Sequence, residues 1–139
     1  MKALLLSLLF SLTFYNNEPL DKCNGIDHFV FGSAKEQFKN LSLELEHGNA
    51  QLYTTDSKTL NIAGVQINEL RLSFIKNKLS AVSLTTKNGS GVIILNYLKG
   101  RYGIPLKNKN QLEWSGKHVL ITCELYKNHK EATVDFYSK

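Results

Sequence analysis

Hydrophobic and polar residues alternate with a period of two over several stretches of this chain. Between Ile67 and Ile75, Leu70, Leu72 and Phe74 fall on one side, and Glu69, Arg71 and Ser73 on the other. A strand with one buried face gives this pattern, because successive side chains point to opposite sides of a sheet. Leu79–Thr86 repeats it after Lys76-Asn77-Lys78, where Asn77 suits the left-handed backbone of a tight turn. The two segments form a predicted hairpin. A second predicted hairpin joins His118–Tyr126, with Val119, Ile121, Cys123 and Leu125 inward, to Ala132–Tyr137, with Ala132, Val134 and Phe136 inward. Its turn is Lys127-Asn128-His129-Lys130. Shorter strands are predicted at Ala50–Thr54, Thr59–Ala63 and Gln111–Ser115, the last carrying the sole tryptophan, Trp114. Leu41–Glu46 alternates too, with Leu43 and Leu45 as its buried face and Glu44 and Glu46 sharing the other.

Two segments follow helical spacing instead. Ser33 and Glu36 have the spacing of a capping box, in which hydroxyl and carboxylate each take an orphan backbone N–H. They predict a helix over Ala34–Leu41 with Phe38 and Leu41 inward. The second helix is predicted over Gly91–Tyr102, with Ile94/Leu95, Leu98 and Tyr102 as its apolar stripe. Gly103 sits where a helix ends, and Pro105 prevents continuation. Helix, short strands and long hairpin thus occur twice. Gly64 before the first long hairpin matches Gly116 before the second, and Lys76-Asn77 matches Lys127-Asn128. The expected fold is α+β: a mainly antiparallel sheet from two αβββ repeats, with two helices packed on one face.

The start of the chain has a different pattern. Lys2 precedes a mainly apolar run, Ala3 to Phe14, broken only by Ser7, Ser11 and Thr13 and with no polar face. The run has the length of a signal-peptide core and is too short to cross a bilayer. Residues 1–15 are read as a signal peptide, 16–24 as an N-terminal segment, and 25–139 as one domain. Cleavage is expected between Thr13 and Asn17, so the chain is exported, to a periplasm or outside the cell, and its mature form has no transmembrane span. Leu20-Asp21-Lys22 before Cys23 is too charged for a lipidation site. The net charge of +5 comes from bases scattered over turns and helix ends. No stripe of arginine and aromatics marks a nucleic-acid track, and nucleic acid is not an expected partner.

The segment Gly25-Ile26-Asp27-His28-Phe29-Val30-Phe31-Gly32-Ser33-Ala34-Lys35-Glu36 resembles the helix entry of small exported bacterial proteins built from αβββ repeats. These form the broad group of β-lactamase-inhibitor-protein-like and small outer-membrane-lipoprotein folds. Tyr102-Gly103-Ile104-Pro105, then Trp114 before a hairpin, is similar to that group as well. The resemblance spans Gly25 to Tyr137 in pattern, and its motifs are structural. Many members of that group have no known activity, and others bind proteins or envelope components, so the resemblance implies at most a binding role of that kind. The lipidated members' cysteine is not matched.

Chemistry-bearing groups are sparse. Cys23 and Cys123 are an even number in an exported chain, so they are a candidate disulfide. The alternative is that Cys123, on an inward face, packs as a free thiol. His28, His47, His118 and His129 show no metal-ligand spacing, and no motif calls for a cofactor. Gly89-Ser90-Gly91 lacks the flanks of a nucleophile elbow and reads as a helix cap. Asn40-Leu41-Ser42 and Asn88-Gly89-Ser90 fit the glycosylation pattern. The usable surface is the outward sheet face, where Arg71, Ser73, Thr122, Glu124, Thr133 and Tyr137 fall together with Leu120. The sequence therefore predicts a small exported, non-enzymatic interaction protein. The alternatives are a small hydrolase with a scattered site or a structural subunit of an envelope complex.

Overall fold

The computed structural model describes residues 18–139, so the leader lies outside the described residues. Helix α1 (Glu18–Asp21) and a two-strand hairpin, β1 (Gly25–Ile26) with β2 (Phe29–Val30), come first. Eight strands then form one antiparallel sheet: β3 (Ser42–His47), β4 (Ala50–Thr55), β5 (Ile67–Ile75), β6 (Lys78–Thr86), β7 (Leu106–Asn108), β8 (Gln111–Ser115), β9 (Val119–Tyr126) and β10 (Glu131–Ser138). Helix α2 (Gly91–Tyr102) connects β6 to β7. The strand order is β3-β4-β5-β6-β10-β9-β8-β7. Each half is a four-stranded meander, and the last strands of the two halves pair at the centre, Val134 opposite Leu84.

The inner face is built by the alternation described above. Leu70, Leu72 and Phe74 from β5, Val82 and Leu84 from β6, Val134 and Phe136 from β10, and Val119 and Ile121 from β9 are all buried. Helix α2 packs Ile94, Leu98 and Tyr102 onto this face. The β1–β2 hairpin lies against β6 and β10. The segment after β4 makes one 3-10 turn at Ser57–Thr59 and then inserts Leu60 and Ile62 into the same core. Thr59–Ala63 is therefore not a strand. It crosses the core, and backbone bonds such as Val65 N–H to the Ile62 carbonyl (3.0 Å) are local.

The first expected helix is reduced to a 3-10 turn, Lys35–Gln37. Its entry pairs with β6 instead. Gly32 N–H donates to the Leu79 carbonyl (2.9 Å), Leu79 N–H to the Ser33 carbonyl (2.9 Å), and Ala34 bridges Lys78. These bonds hold the backbone extended at Ala34, where a helix would have to begin. No side-chain cap forms. Glu36 accepts instead from Asn77 Nδ2, at 3.1 and 2.9 Å. Helical packing on the sheet thus comes mainly from α2, and each half contributes four strands.

Strand β3 corrects another expectation. It is an edge strand exposed along its whole length, with Leu43 51% and Leu45 63% accessible. A bulge between Leu43 and Leu45 breaks the alternation. Glu44 reaches Arg71 across the outer face, whereas Glu46 lies opposite Gln51 and accepts from its Nε2 at 3.0 Å. The two carboxylates do not form a pair.

Candidate functional site

The outer face of the sheet has no layer packed over it among the described residues. Cross-strand register orders it into rows. One row runs Leu45, Leu52, Ser73, Ala81, Tyr137, Leu120, Ser115, each opposite the next on the neighbouring strand. Five of its first six members are apolar or aromatic, on strands that otherwise alternate apolar-in and polar-out. At one end, Leu45, Leu52, Ile75 and His47 line a shallow depression of about 290 Å³.

The next row runs Thr54, Arg71, Ser83, Asp135, Thr122, Glu113. Arg71 is clamped between two carboxylates: its Nη2 lies 2.9 Å from Glu69 Oε1, and its Nε lies 3.1 Å from Glu44 Oε2 without good hydrogen-bond alignment. A third row runs Glu69, Thr85, Thr133, Glu124, Gln111. Thr133 also bonds the Tyr126 hydroxyl. The face is thus acidic on a chain that is basic overall. Glu44, Glu69, Glu113, Glu124, Glu131 and Asp135 stand on it, against Arg71 and Lys78 at outward strand positions, with Lys127 pairing Glu131 from the turn and Lys139 bonding Ser115 at the edge.

All six residues expected on the outward face do share it. Thr122 is only 3% exposed, however, so it lies under the surface that a partner would touch. Its hydroxyl, beside Tyr137, makes no well-formed hydrogen bond. Burial, then the nearby Asp135 carboxylate, raises the Tyr137 hydroxyl above its ordinary pKa. Sequence reasoning did not join Leu45, Leu52 and Ala81 to Tyr137 and Leu120, because strand order and register set that row.

The cysteines lie in different surroundings, and both are free thiols in this structure. Cys23 Sγ is 3.2 Å from the Gly25 carbonyl and 3.6 Å from the Tyr102 hydroxyl, which also accepts from Arg101 Nε at 3.3 Å. A cavity of about 400 Å³ opens beside this group, lined also by Tyr97 and Ile26. Neither Gly25 nor Tyr102 supplies a base to Cys23. Burial, then hydrogen bonding to Cys23, raises the Tyr102 pKa. Cys123 is fully buried beside Leu112, Leu125 and His129. Burial, then Asp135, pushes its thiol up to about 11, so it is a poor nucleophile at neutral pH.

Trp114 is fully buried and donates from Nε1 to the Gly103 carbonyl at 2.9 Å. Ser90 does not cap α2 with its side chain; its Oγ accepts from Gln66 N–H at 2.8 Å. Among the described residues no cluster of three or more His, Cys, Asp or Glu is placed to hold a metal ion, and no helix is long and apolar enough to cross a membrane.

An open antiparallel sheet, layered on its inner face and bare on its outer one, is the class this geometry defines. No family model, no curated protein and no solved structure matches the chain.

Proposed function

We propose that this chain is a small exported, non-enzymatic interaction protein that acts in the cell envelope or outside the cell. It engages another protein or an envelope component through its outer sheet face. The cross-strand row from Leu45 to Leu120 carries the reading. Solvated outer faces of antiparallel sheets are ordinarily polar, and a mainly apolar row, interrupted at Ser73 and flanked by charge, is the composition of a docking surface. Export rests on the apolar leader, and the two halves of the sheet are read as an internal duplication. The cavities beside Cys23, Cys123 and Leu45 gather no more than one carboxylate each, which disfavours a hydrolase using paired acids.

The test is capture from the native envelope fraction with the tagged chain. Tyr137→Ala and Arg71→Glu are expected to lose the captured partner while far-UV circular dichroism and melting stay close to the parent. Unchanged capture by both variants rejects this face as the binding surface.

A further inference from the structure

A second apolar surface lies on the opposite side of the molecule. Helix α2 buries Gly91, Ile94, Leu98 and Tyr102. Its other side exposes Val92 (45%) and Ile93 (42%), with Asn96, Lys99 and Gly100 completing it. The free side of a surface helix is normally polar. Here it is apolar at the start and basic at the end, with Lys99 in the last turn. A side chain at Gly100 would meet nothing within 4 Å, so the helix presents a low surface there. Ile104, 96% exposed, extends the apolar character just past the helix.

This surface matches the outer sheet face in three respects. Both are unpartnered and partly apolar. Their charges are opposite: Lys99 on one, and Glu69, Glu113, Glu124 and Asp135 on the other. Their lengths are close: α2, at twelve residues, spans about 18 Å, and the row from Leu45 to Leu120 crosses six strands, about 24 Å at ordinary strand spacing. Anionic lipid would be repelled by so acidic a face.

We infer that the occupant of the outer sheet face is a second copy of this chain, docked through the exposed side of its α2. The inference rests on the reading of that face as a docking surface. The two surfaces lie on opposite sides of one sheet, so the contact is heterologous. It cannot close as a two-fold dimer and propagates head to tail. A contact of one helix side on one sheet row falls at the small end of specific interfaces, and association is weak, in the micromolar range or above.

Sedimentation of the exported chain from about 10 μM to 1 mM tests it, and a step to high salt tests the charge component. The weight-average mass is expected to rise continuously past that of a dimer, and to fall back as salt is raised. Ile93→Glu on the helix side and Asp135→Lys on the sheet side should each weaken self-association at least tenfold. Both positions are at the surface, and Val92→Glu serves as a second helix-side variant should Ile93→Glu melt early. Mixing Ile93→Glu with Asp135→Lys leaves one intact pair of surfaces, so the mixture should stop at a dimer. A monomer up to 1 mM overturns the inference, and so does a closed dimer indifferent to these substitutions. If the chain is monomeric but Tyr137→Ala still loses a foreign partner, the inference falls and the proposed role stands. If Tyr137→Ala and Arg71→Glu also leave capture unchanged, both fall.

Discussion

Gly116 lies against the backbone of Leu20: a side-chain carbon built on Gly116 would come 2.4 Å from the Leu20 carbonyl oxygen. Leu20 is itself buried, and the neighbouring Lys117 N–H donates to Asp21 Oδ1 at 3.3 Å. Residues 18–24 are therefore docked on the β8–β9 turn through Leu20 and Asp21 and belong to the folded body. Gly116→Ala must displace backbone, and is expected to cost about 1–3 kcal/mol by urea unfolding. Gly100→Ala is the control. It is helical with open space around it, and is expected to stabilise by about 0.5–1 kcal/mol.

Glu36 fastens the β5–β6 turn through Asn77, which sits at φ 67° next to Lys76 at φ 50°. A hydrogen bond from its own backbone, then the one from Asn77, holds the Glu36 carboxyl below its ordinary pKa. A depressed carboxylate pKa means that the unfolded chain takes up the proton first as pH falls. The contribution is thus present above the unfolded-state pKa and is lost as pH drops through the folded one. The stability difference between the parent and Glu36→Gln is expected to be seen at neutral pH and to shrink under acid. A difference that does not change with pH contradicts this role.

Much of the sheet was legible, for a physical reason. On the central strands one face is buried and the other solvated, so Leu70, Leu72, Phe74, Val134 and Phe136 stand out by alternation alone. Helix α2 was legible to the residue because its stripe and its stop at Gly103 agree. Positive φ at Asn77 and at Lys127-Asn128-His129 follows the turn chemistry. The failures lie where local pattern meets long-range pairing. Ser33 and Glu36 have a capping spacing, yet the backbone there bonds to β6 and the carboxylate to Asn77. Leu43 and Leu45 alternate like core residues, yet β3 is at the sheet edge, beyond the core. Gly64 and Gly116 look equivalent, yet Gly64 supplies a positive φ of 78° and Gly116 supplies close approach. The row of the candidate site draws one residue from each of six strands, and no window of sequence contains it.

The two thiols should differ in reactivity. Cys123 is 0% exposed, with its pKa pushed up to about 11, whereas Cys23 keeps 8% exposure beside the larger cavity. In the reduced native protein, iodoacetamide near pH 8 is expected to label Cys23 first, with Cys123 reacting only through opening of the fold. Equal rates would contradict the packing around β9. Alkylating denatured, non-reduced protein decides the disulfide proposal independently: no label means that Cys23 and Cys123 are bonded, and two labels mean that they are free.

Trp114 ties the end of α2 to β8. Its indole N–H reaches the Gly103 carbonyl, the residue that terminates the helix with φ 90°. With the ring 2% exposed, native fluorescence should be blue-shifted and should move red in one transition with unfolding. Trp114→Phe keeps an aromatic ring but removes the donor, leaving the Gly103 carbonyl short of a partner, and it opens space beside Ile121, opposite it on β9. The expected cost is about 1–3 kcal/mol. The loss should also appear locally, as faster hydrogen exchange in the last turn of α2 than in its first. Uniform exchange along the helix in this variant would show that the bond does not hold that end.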